Sequence, residues 1–253
     1  MIKSAALMLT LSLFLSGCVT TGDTGRKVDP IQARDSYIQL GLGYLQKGET
    51  ERAKKPLSEA LAIDPRSASA NTALALVFQY EGEYETAEKH FRAALSAEPN
   101  DSRILNNYGA FLLDRERYPE ALGYFQQAAE DTLYSERSRV FENLGITYQR
   151  MGATTEARES FERSLRLNSR QPRALLELAQ LEYQAQDYVP AWQHYRAFAE
   201  MSGQNAASLS SWPSASKITV VRLAMPCNSN DSTLLVLKRK RLWSPNNYEF
   251  RTP

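Results

Sequence analysis

Apolar and polar residues between about residue 35 and residue 205 follow the spacing of amphipathic helices, and one short pattern returns five times along this stretch. An alanine marks each return, and the steps between successive alanines are 34, 34, 36 and 34 residues: Ala53, Ala87, Ala121, Ala157 and Ala191. A small residue also recurs at one constant distance before each alanine, at Gly41, Ala75, Gly109, Gly145 and Ala179. The pattern predicts repeated pairs of helices that approach each other closely at the small residue.

A period of about 34 residues is typical of the tetratricopeptide repeat, a helix–turn–helix unit that stacks into a solenoid. We therefore predict an all-α fold, a right-handed superhelix of about five to six helix pairs over residues 35–205. Phe91, Phe125 and Phe161 are expected to fill the gaps between neighbouring pairs, and Pro65 and Pro99 to end helices. The step of 36 residues, near residues 130–137, predicts a longer turn between the third and fourth pairs.

The first helix of each pair is expected to line the concave face of the superhelix. This face is predicted to be apolar near its N-terminal end, where the candidate groove residues are Ile38, Leu42, Leu45, Leu76 and Tyr80. Further along it becomes polar, with Arg103, Asn106 and Asp114 in the third repeat and Arg139 and Glu142 in the fourth. An apolar groove suits a partner segment that inserts apolar side chains. The sequence is equally compatible with Ile38 and Leu42 packing only on the segment that precedes them.

The N-terminal residues 1–17 have the features of an export signal, with Lys3 followed by an apolar run that is too short for a comfortable membrane span. The sequence Leu-Ser-Gly-Cys, which ends at Cys18, resembles the lipobox of bacterial lipoproteins. The resemblance implies cleavage before Cys18, a diacylglyceryl thioether on its sulfur and a fatty acyl chain, such as palmitate, on its amine. The alternative is an ordinary signal peptide with an incidental cysteine. Val19 after the cysteine implies, by the sorting rule of this class, an outer-membrane anchor that faces the periplasm.

The segments that flank the repeats have a different composition from the repeats themselves. Residues 18–34 are rich in Thr and Gly and are predicted to be a flexible tether behind the lipidated cysteine. Residues 206–253 form an atypical tail, with crowded serines and the basic string of residues 238–241. When the codons of residues 225–233 are read in another frame, they can spell an amphipathic helix of repeat type. We therefore hypothesise that the tail is a frameshifted sixth repeat, the alternative being a genuine variant.

Composition and motifs give little support to catalysis or to nucleic-acid binding. The formal net charge of +1 argues against a dedicated nucleic-acid binder, which would normally be basic. His90 and His194 occupy equivalent positions on second helices, without Cys or Asp neighbours at metal-ligand spacing. We expect no metal, no cofactor and no small-molecule substrate, and we do not expect an enzyme.

The lipobox, the short tether and the tandem repeats together resemble the pilotin lipoproteins of type IV pili, the PilF/PilW family. The segments Tyr37-Ile38-Gln39-Leu40-Gly41-Leu42-Gly43-Tyr44-Leu45 and Asn106-Asn107-Tyr108-Gly109-Ala110-Phe111-Leu112 carry the similarity, which covers residues 1 to about 205. The resemblance implies binding to the secretin subunit of the pilus (PilQ-like), its delivery to the outer membrane and promotion of its multimerisation. The alternative function is a repeat scaffold of outer-membrane barrel assembly or of envelope-hydrolase complexes.

Overall fold

The structure is a computed structural model, and it describes residues 29–203 of the chain. Within this range the chain forms ten α-helices and no strand, which confirms the predicted all-α fold. The helices are α1 (Pro30–Gln46), α2 (Thr50–Ile63), α3 (Ala68–Tyr80), α4 (Tyr84–Ala97), α5 (Ser102–Asp114), α6 (Tyr118–Glu130), α7 (Arg137–Arg150), α8 (Thr154–Leu167), α9 (Pro172–Gln184) and α10 (Tyr188–Met201). The predicted signal peptide, Cys18, most of the predicted tether and the atypical tail lie outside the described residues.

The first helix begins at Pro30, five residues before the predicted start of the repeats. The side chain of Asp29 accepts a hydrogen bond from the backbone N–H of Ile31 at 3.0 Å, and Pro30 occupies the first turn, where a missing N–H costs nothing. The tether boundary at residue 34 was therefore wrong, because residues 30–34 belong to α1. Asp29 and Pro30, which lie within the predicted tether, form the start of a helix.

The five helix pairs are α1/α2, α3/α4, α5/α6, α7/α8 and α9/α10, and a small residue on the first helix lets each pair close tightly. A side chain on Gly41 would collide with Leu57, and one on Gly145 would lie 2.5 Å from Cε1 of Phe161. These contacts explain why the repeated pattern demands a small residue on the first helix. We refer to the five pairs as repeats 1 to 5.

One residue in each turn between paired helices has a positive φ. Gly48, Gly82 and Gly152 occupy this position in repeats 1, 2 and 4, with φ between 72° and 79°. Glu116 and Gln186 occupy it in repeats 3 and 5, with φ of 59° and 67°. The left-handed region is unfavourable for residues with a Cβ. The turns of repeats 3 and 5 therefore carry backbone strain that the other three avoid.

The core runs continuously between neighbouring repeats. The ring of Phe91 lies 5.4 Å from the rings of both Tyr108 and Phe111, which confirms that an aromatic residue of one repeat packs against the next. One cluster of buried side chains extends from Ala75 in repeat 2 to Leu144 in repeat 4. Stability in such a stack comes largely from these neighbour interfaces.

The connection between repeats 3 and 4 is longer than the others, as the step of 36 residues predicted. It comprises residues 131–136, whereas the other connections comprise residues 64–67, 98–101 and 168–171. Tyr134 in this connection packs against the core, while Leu133 is 93% exposed. The two extra residues are accommodated outside the core, which stays continuous across them.

Charged side chains tie adjacent helices together at two partly buried places. Glu88 accepts hydrogen bonds from Arg117 at 2.8 Å and from Tyr108 at 3.0 Å. Burial raises the pKa of Glu88, but these hydrogen bonds outweigh burial and lower the pKa of the carboxyl group below its usual range. Glu182, which is buried, lies 2.8 Å from Nδ1 of His194.

No helix among residues 29–203 is long and apolar enough to cross a membrane.

Candidate protein-binding groove

The five predicted groove residues lie on the first helices of repeats 1 and 2, three on α1 and two on α3. These residues differ sharply in how much surface they offer. Ile38 is 5% exposed, whereas Tyr80 is 70% exposed. Leu42, Leu45 and Leu76 have intermediate burial. The groove is therefore a partly covered apolar strip with one freely accessible aromatic ring.

Ile38 does not provide free surface for a partner. Its side chain packs in one buried cluster with Ala60 of α2 and Ala70 of α3, and Leu42 lies against the same cluster. The assignment of Ile38 as a groove anchor is therefore corrected: the residue belongs to the interface of repeats 1 and 2. The sequence pattern missed this because small alanines on α2 and α3 let those helices close over it.

Leu42 and Leu45 pack partly on the core of the first two repeats. Both contact the cluster that contains Leu57, Leu74 and Val77. Each leucine has one face in the core and one face open, so each contributes to stability and to the groove. Tyr80 stands at the end of α3 and leans toward the turn of repeat 1, since a side chain on Gly48 would lie 3.5 Å from its hydroxyl oxygen.

A second apolar surface lies on the outer side of α1. Leu40 is 48% exposed and Tyr37 is 37% exposed. The equivalents of Leu40 in later repeats are almost fully buried: Leu74 at 3%, Tyr108 at 2%, Leu144 at 5% and Leu178 at 1%. Those residues pack on the second helix of the preceding repeat. No helix among residues 29–203 precedes repeat 1, so none of these helices packs on the stacking face of α1.

The groove becomes polar from repeat 3 onward, and hydrogen bonds connect the first helices of successive repeats. Nε2 of Gln79 donates to Asp114 at 3.1 Å. In the next step, Nδ2 of Asn143 donates to Oδ1 of Asn106 at 3.0 Å. These bonds hold the first helices of repeats 2, 3 and 4 in register.

Glu142 is an unusual member of this polar half because its carboxyl group is buried. The residue is 9% exposed, and its Oε2 atom has no hydrogen-bond partner among the described residues. Burial raises the pKa of Glu142, although nearby Arg173 and a hydrogen bond from the backbone of Ala174 oppose the shift. A buried carboxylate oxygen without a hydrogen-bond partner lowers the stability of the folded state.

The two histidines have local packing partners rather than metal ligands. The ring of His90 stacks on Phe78 at 5.4 Å, and its Nδ1 lies 2.9 Å from Oδ1 of Asn71. His194 contacts Glu182 as described above. Among residues 29–203, no group of three His, Cys, Asp or Glu side chains is placed to hold a metal ion. Cys18, the predicted lipidation site, lies outside this range.

Comparisons with known proteins find similarity both to individual repeats and over nearly the whole chain. Family models described as tetratricopeptide repeat match residues 35–67, 68–101, 100–170 and 143–206. The type IV pilus assembly protein PilF of Pseudomonas aeruginosa is 48% identical over 251 residues, covering 98% of this chain and 96% of that protein.

Two solved structures share the architecture. A structure from a functional characterisation of Pseudomonas aeruginosa PilF is 50% identical, with a TM-score of 0.70, and covers 76% of this chain and 87% of its own. The crystal structure of PilW, described as a widely conserved type IV pilus biogenesis factor, is 28% identical, with a TM-score of 0.67. It covers 76% of this chain and 89% of its own.

The hypothesis that residues 206–253 are a frameshifted sixth repeat concerns residues outside the described range. It remains a prediction, which resequencing the gene in this region would test.

Proposed function

Because the chain belongs to the PilF/PilW family of tetratricopeptide-repeat proteins of type IV pilus biogenesis, we propose that it acts as a pilotin. In this role it binds the secretin subunit of the pilus and promotes the localisation and multimerisation of that subunit in the outer membrane. The near full-length identity of 48% to a type IV pilus assembly protein is the observation that carries the proposal.

The groove of repeats 1 and 2 supports a binding role. Its leucines are only partly covered, and the ring of Tyr80 is 70% exposed at its end. Large aromatic side chains at the centre of protein interfaces contribute much of the binding free energy. A partner segment with apolar side chains would cover the open faces of Leu42, Leu45 and Leu76. At about 25 cal/mol per Å² of buried apolar area, such a contact contributes a few kcal/mol.

We further propose that Cys18 carries the lipid anchor and that the mature protein is held on the periplasmic face of the outer membrane. Two or more acyl chains on one residue suffice for stable anchoring, whereas a single chain binds reversibly. In this arrangement the repeats are presented to a partner in the periplasm. The proposed activity is non-covalent binding, and it assigns no catalytic step to any residue.

A deletion strain of the source bacterium tests the proposed function. Loss of the gene is expected to reduce secretin multimers in the outer membrane, as measured by native gel and immunoblot of membrane fractions. A plasmid copy of the wild-type gene should restore them, and the purified mature protein should retain secretin subunits from envelope extract. Normal secretin multimers together with reduced barrel-protein assembly would instead favour the scaffold of barrel assembly.

A further inference from the structure

Arginines occupy the same first-turn position on the first helices of repeats 3, 4 and 5. These residues are Arg103 on α5, Arg139 on α7 and Arg173 on α9, and they recur at the spacing of the repeats. The equivalent residues of repeats 1 and 2 are Asp35 and Ser69, neither of which is basic. The row therefore belongs to the polar half of the groove alone, and we call it the arginine row.

The residues at this position lie within reach of one another along the superhelix. Nη2 of Arg103 donates to the hydroxyl of Ser69, the equivalent residue of the preceding repeat, at 3.2 Å. In the other direction, the charges of Arg139 and Arg173 both oppose the rise in the pKa of Glu142 that burial causes. The first helices of repeats 3, 4 and 5 also contact one another directly. The arginine row is thus one continuous edge rather than three separate surface charges.

The guanidinium groups of the row are accessible and only weakly neutralised. The side chain of Arg103 is 45% exposed and lies 3.7 Å from Asp101. That of Arg139 is 61% exposed and lies 3.6 Å from Glu136. Both distances exceed those of charge-assisted hydrogen bonds, which are about 2.7–2.9 Å. Arg173 is exposed as well.

The acidic residues beside the row do not cancel its charge. Asp101 uses its other carboxylate oxygen to cap α5, accepting from the backbone of Ile104 at 2.9 Å. Glu142 is held in a buried place where its ionised form is disfavoured. Glu177, on the following turn of α9, is half-buried.

We propose that the arginine row binds an extended, acidic segment of a protein partner, with carboxylates meeting Arg103, Arg139 and Arg173 in turn. Packed helices lie about 8–10 Å apart, and an extended chain advances about 3.3 Å per residue. The segment is therefore expected to carry Asp or Glu at about every third residue. This inference rests on the proposed function, because it names the chemistry of the segment that the same groove binds.

A random library of 12-residue peptides displayed on phage tests the inference without any secretin. Selection on the purified protein, without residues 1–18, is expected to enrich Asp and Glu relative to the input library. The triple variant R103Q/R139Q/R173Q should lose the enrichment. A synthetic copy of a selected acidic peptide should bind this variant roughly tenfold more weakly than the wild type, and its binding to the wild type should weaken with added salt.

Two further variants distinguish binding by the arginine row from attraction to positive charge anywhere on the protein. K55Q/K89Q/R166Q removes three exposed positive charges from second helices and should keep the enrichment. R103K/R139K/R173K keeps the charges of the row and should retain most of the acidic enrichment. Circular dichroism checks that every variant is helical. Absence of acidic enrichment, or its persistence in R103Q/R139Q/R173Q, overturns the inference. Because secretin is not used as a probe, failure here is distinct from failure of the secretin-binding experiment.

Discussion

The ring of Phe125 occupies the space that a side chain on Gly109 would need. A Cβ at Gly109 would lie 2.7 Å from Cε1 and 2.9 Å from Cδ1 of this ring, closer than real Cβ contacts come. Phe125 is fully buried within the cluster that joins repeats 2, 3 and 4, so it has no room to move away. The closure of the third helix pair therefore depends on the absence of a side chain at one position.

Replacement of Gly109 by alanine is expected to destabilise the fold by about 1–3 kcal/mol, because a methyl group overpacks the core. Gly123 provides a matched control on the paired helix of the same repeat. It lies within α6, and a Cβ there would meet nothing within 4 Å. Gly123→Ala should therefore raise the free energy of unfolding by about 0.5–1 kcal/mol. Urea denaturation followed by circular dichroism measures both, and equal effects of the two substitutions would contradict the packing argument.

Replacement of Glu116 by glycine is expected to raise the free energy of unfolding by about 0.5–1 kcal/mol. Glu116 has a φ of 59°, a conformation that glycine adopts without steric cost. The control, Glu59→Gly, makes the same chemical change at an exposed position inside α2 and should cost about 1 kcal/mol. Thermal unfolding should show opposite shifts for the two variants. A lowered midpoint for Glu116→Gly would mean that the side chain stabilises the turn in a way that outweighs its strain.

The free energy of unfolding is expected to fall as the pH decreases below the ordinary pKa of histidine, about 6.5. Burial lowers the pKa of His90 in the folded state, so the unfolded chain takes up a proton at a higher pH than the folded chain does. The contribution of His90 to the free energy of unfolding is complete above the pKa of His90 in the unfolded chain. It is lost progressively as the pH falls toward the pKa of His90 in the folded chain. One such group contributes a slope of at most about 1.4 kcal/mol per pH unit.

The variant His90→Gln isolates this contribution because glutamine does not titrate. Urea denaturation at several pH values between 7.5 and 5 should give a smaller loss of stability for the variant than for the wild type. Other titrating groups affect both proteins alike and cancel in the comparison. Parallel pH profiles would show that His90 titrates equally in the folded and unfolded chains.

A negative charge in place of Tyr80 is expected to weaken secretin binding by tenfold or more, because an unpaired charge would be desolvated in an apolar contact. Tyr80 is a sharper probe of the groove than Leu42, since Leu42 also packs against the core. Leu133→Glu is the control, a similar change at a 93% exposed site on the connection between repeats 3 and 4. Pull-down of secretin subunits with each purified variant measures the effect. Normal binding by a folded Tyr80→Glu variant would exclude the N-terminal half of the groove.

Substitution of Cys18 by serine is expected to abolish firm membrane association, because serine offers no thiol for the thioether to the lipid. Metabolic labelling with a fatty acid and fractionation of the envelope provide the measurement. Cys227→Ser is the control, as it removes the other cysteine of the chain and should leave labelling unchanged. Outer-membrane recovery of an unlabelled Cys18→Ser protein would show that another feature holds it there.

The fold could be predicted in detail because its determinants are local in sequence and recur in every repeat. Gly41, Gly109 and Gly145 appeared in the sequence as one position and proved to be the same contact, a glycine against a large side chain of the paired helix. The longer connection before α7 also followed directly from the step of 36 residues. These features need only the distance along the chain between two residues, which the sequence contains.

The groove was predicted less well because exposure depends on neighbours that the periodicity does not describe. Ile38 and Tyr80 were assigned to the same surface, yet Ile38 is covered by the alanines of α2 and α3 while Tyr80 is open. Likewise, Leu40 fits the buried pattern but is 48% exposed, because no described repeat stacks on α1. The pattern locates a residue on a helix face, and the packing of adjacent helices then decides its accessibility.

The succession of helix pairs has a consequence for the order in which the chain acquires its structure. Each helix makes its substantial contacts with the next helix or the one after it, so contacts between distant parts of the sequence are not needed. A chain that emerges N-terminus first would therefore find, at each new helix from α2 onward, its packing partners already present. Local contacts of this kind favour rapid folding. Folding can then advance pair by pair while later residues are still being delivered, which is compatible with the export across a membrane that we propose for this protein.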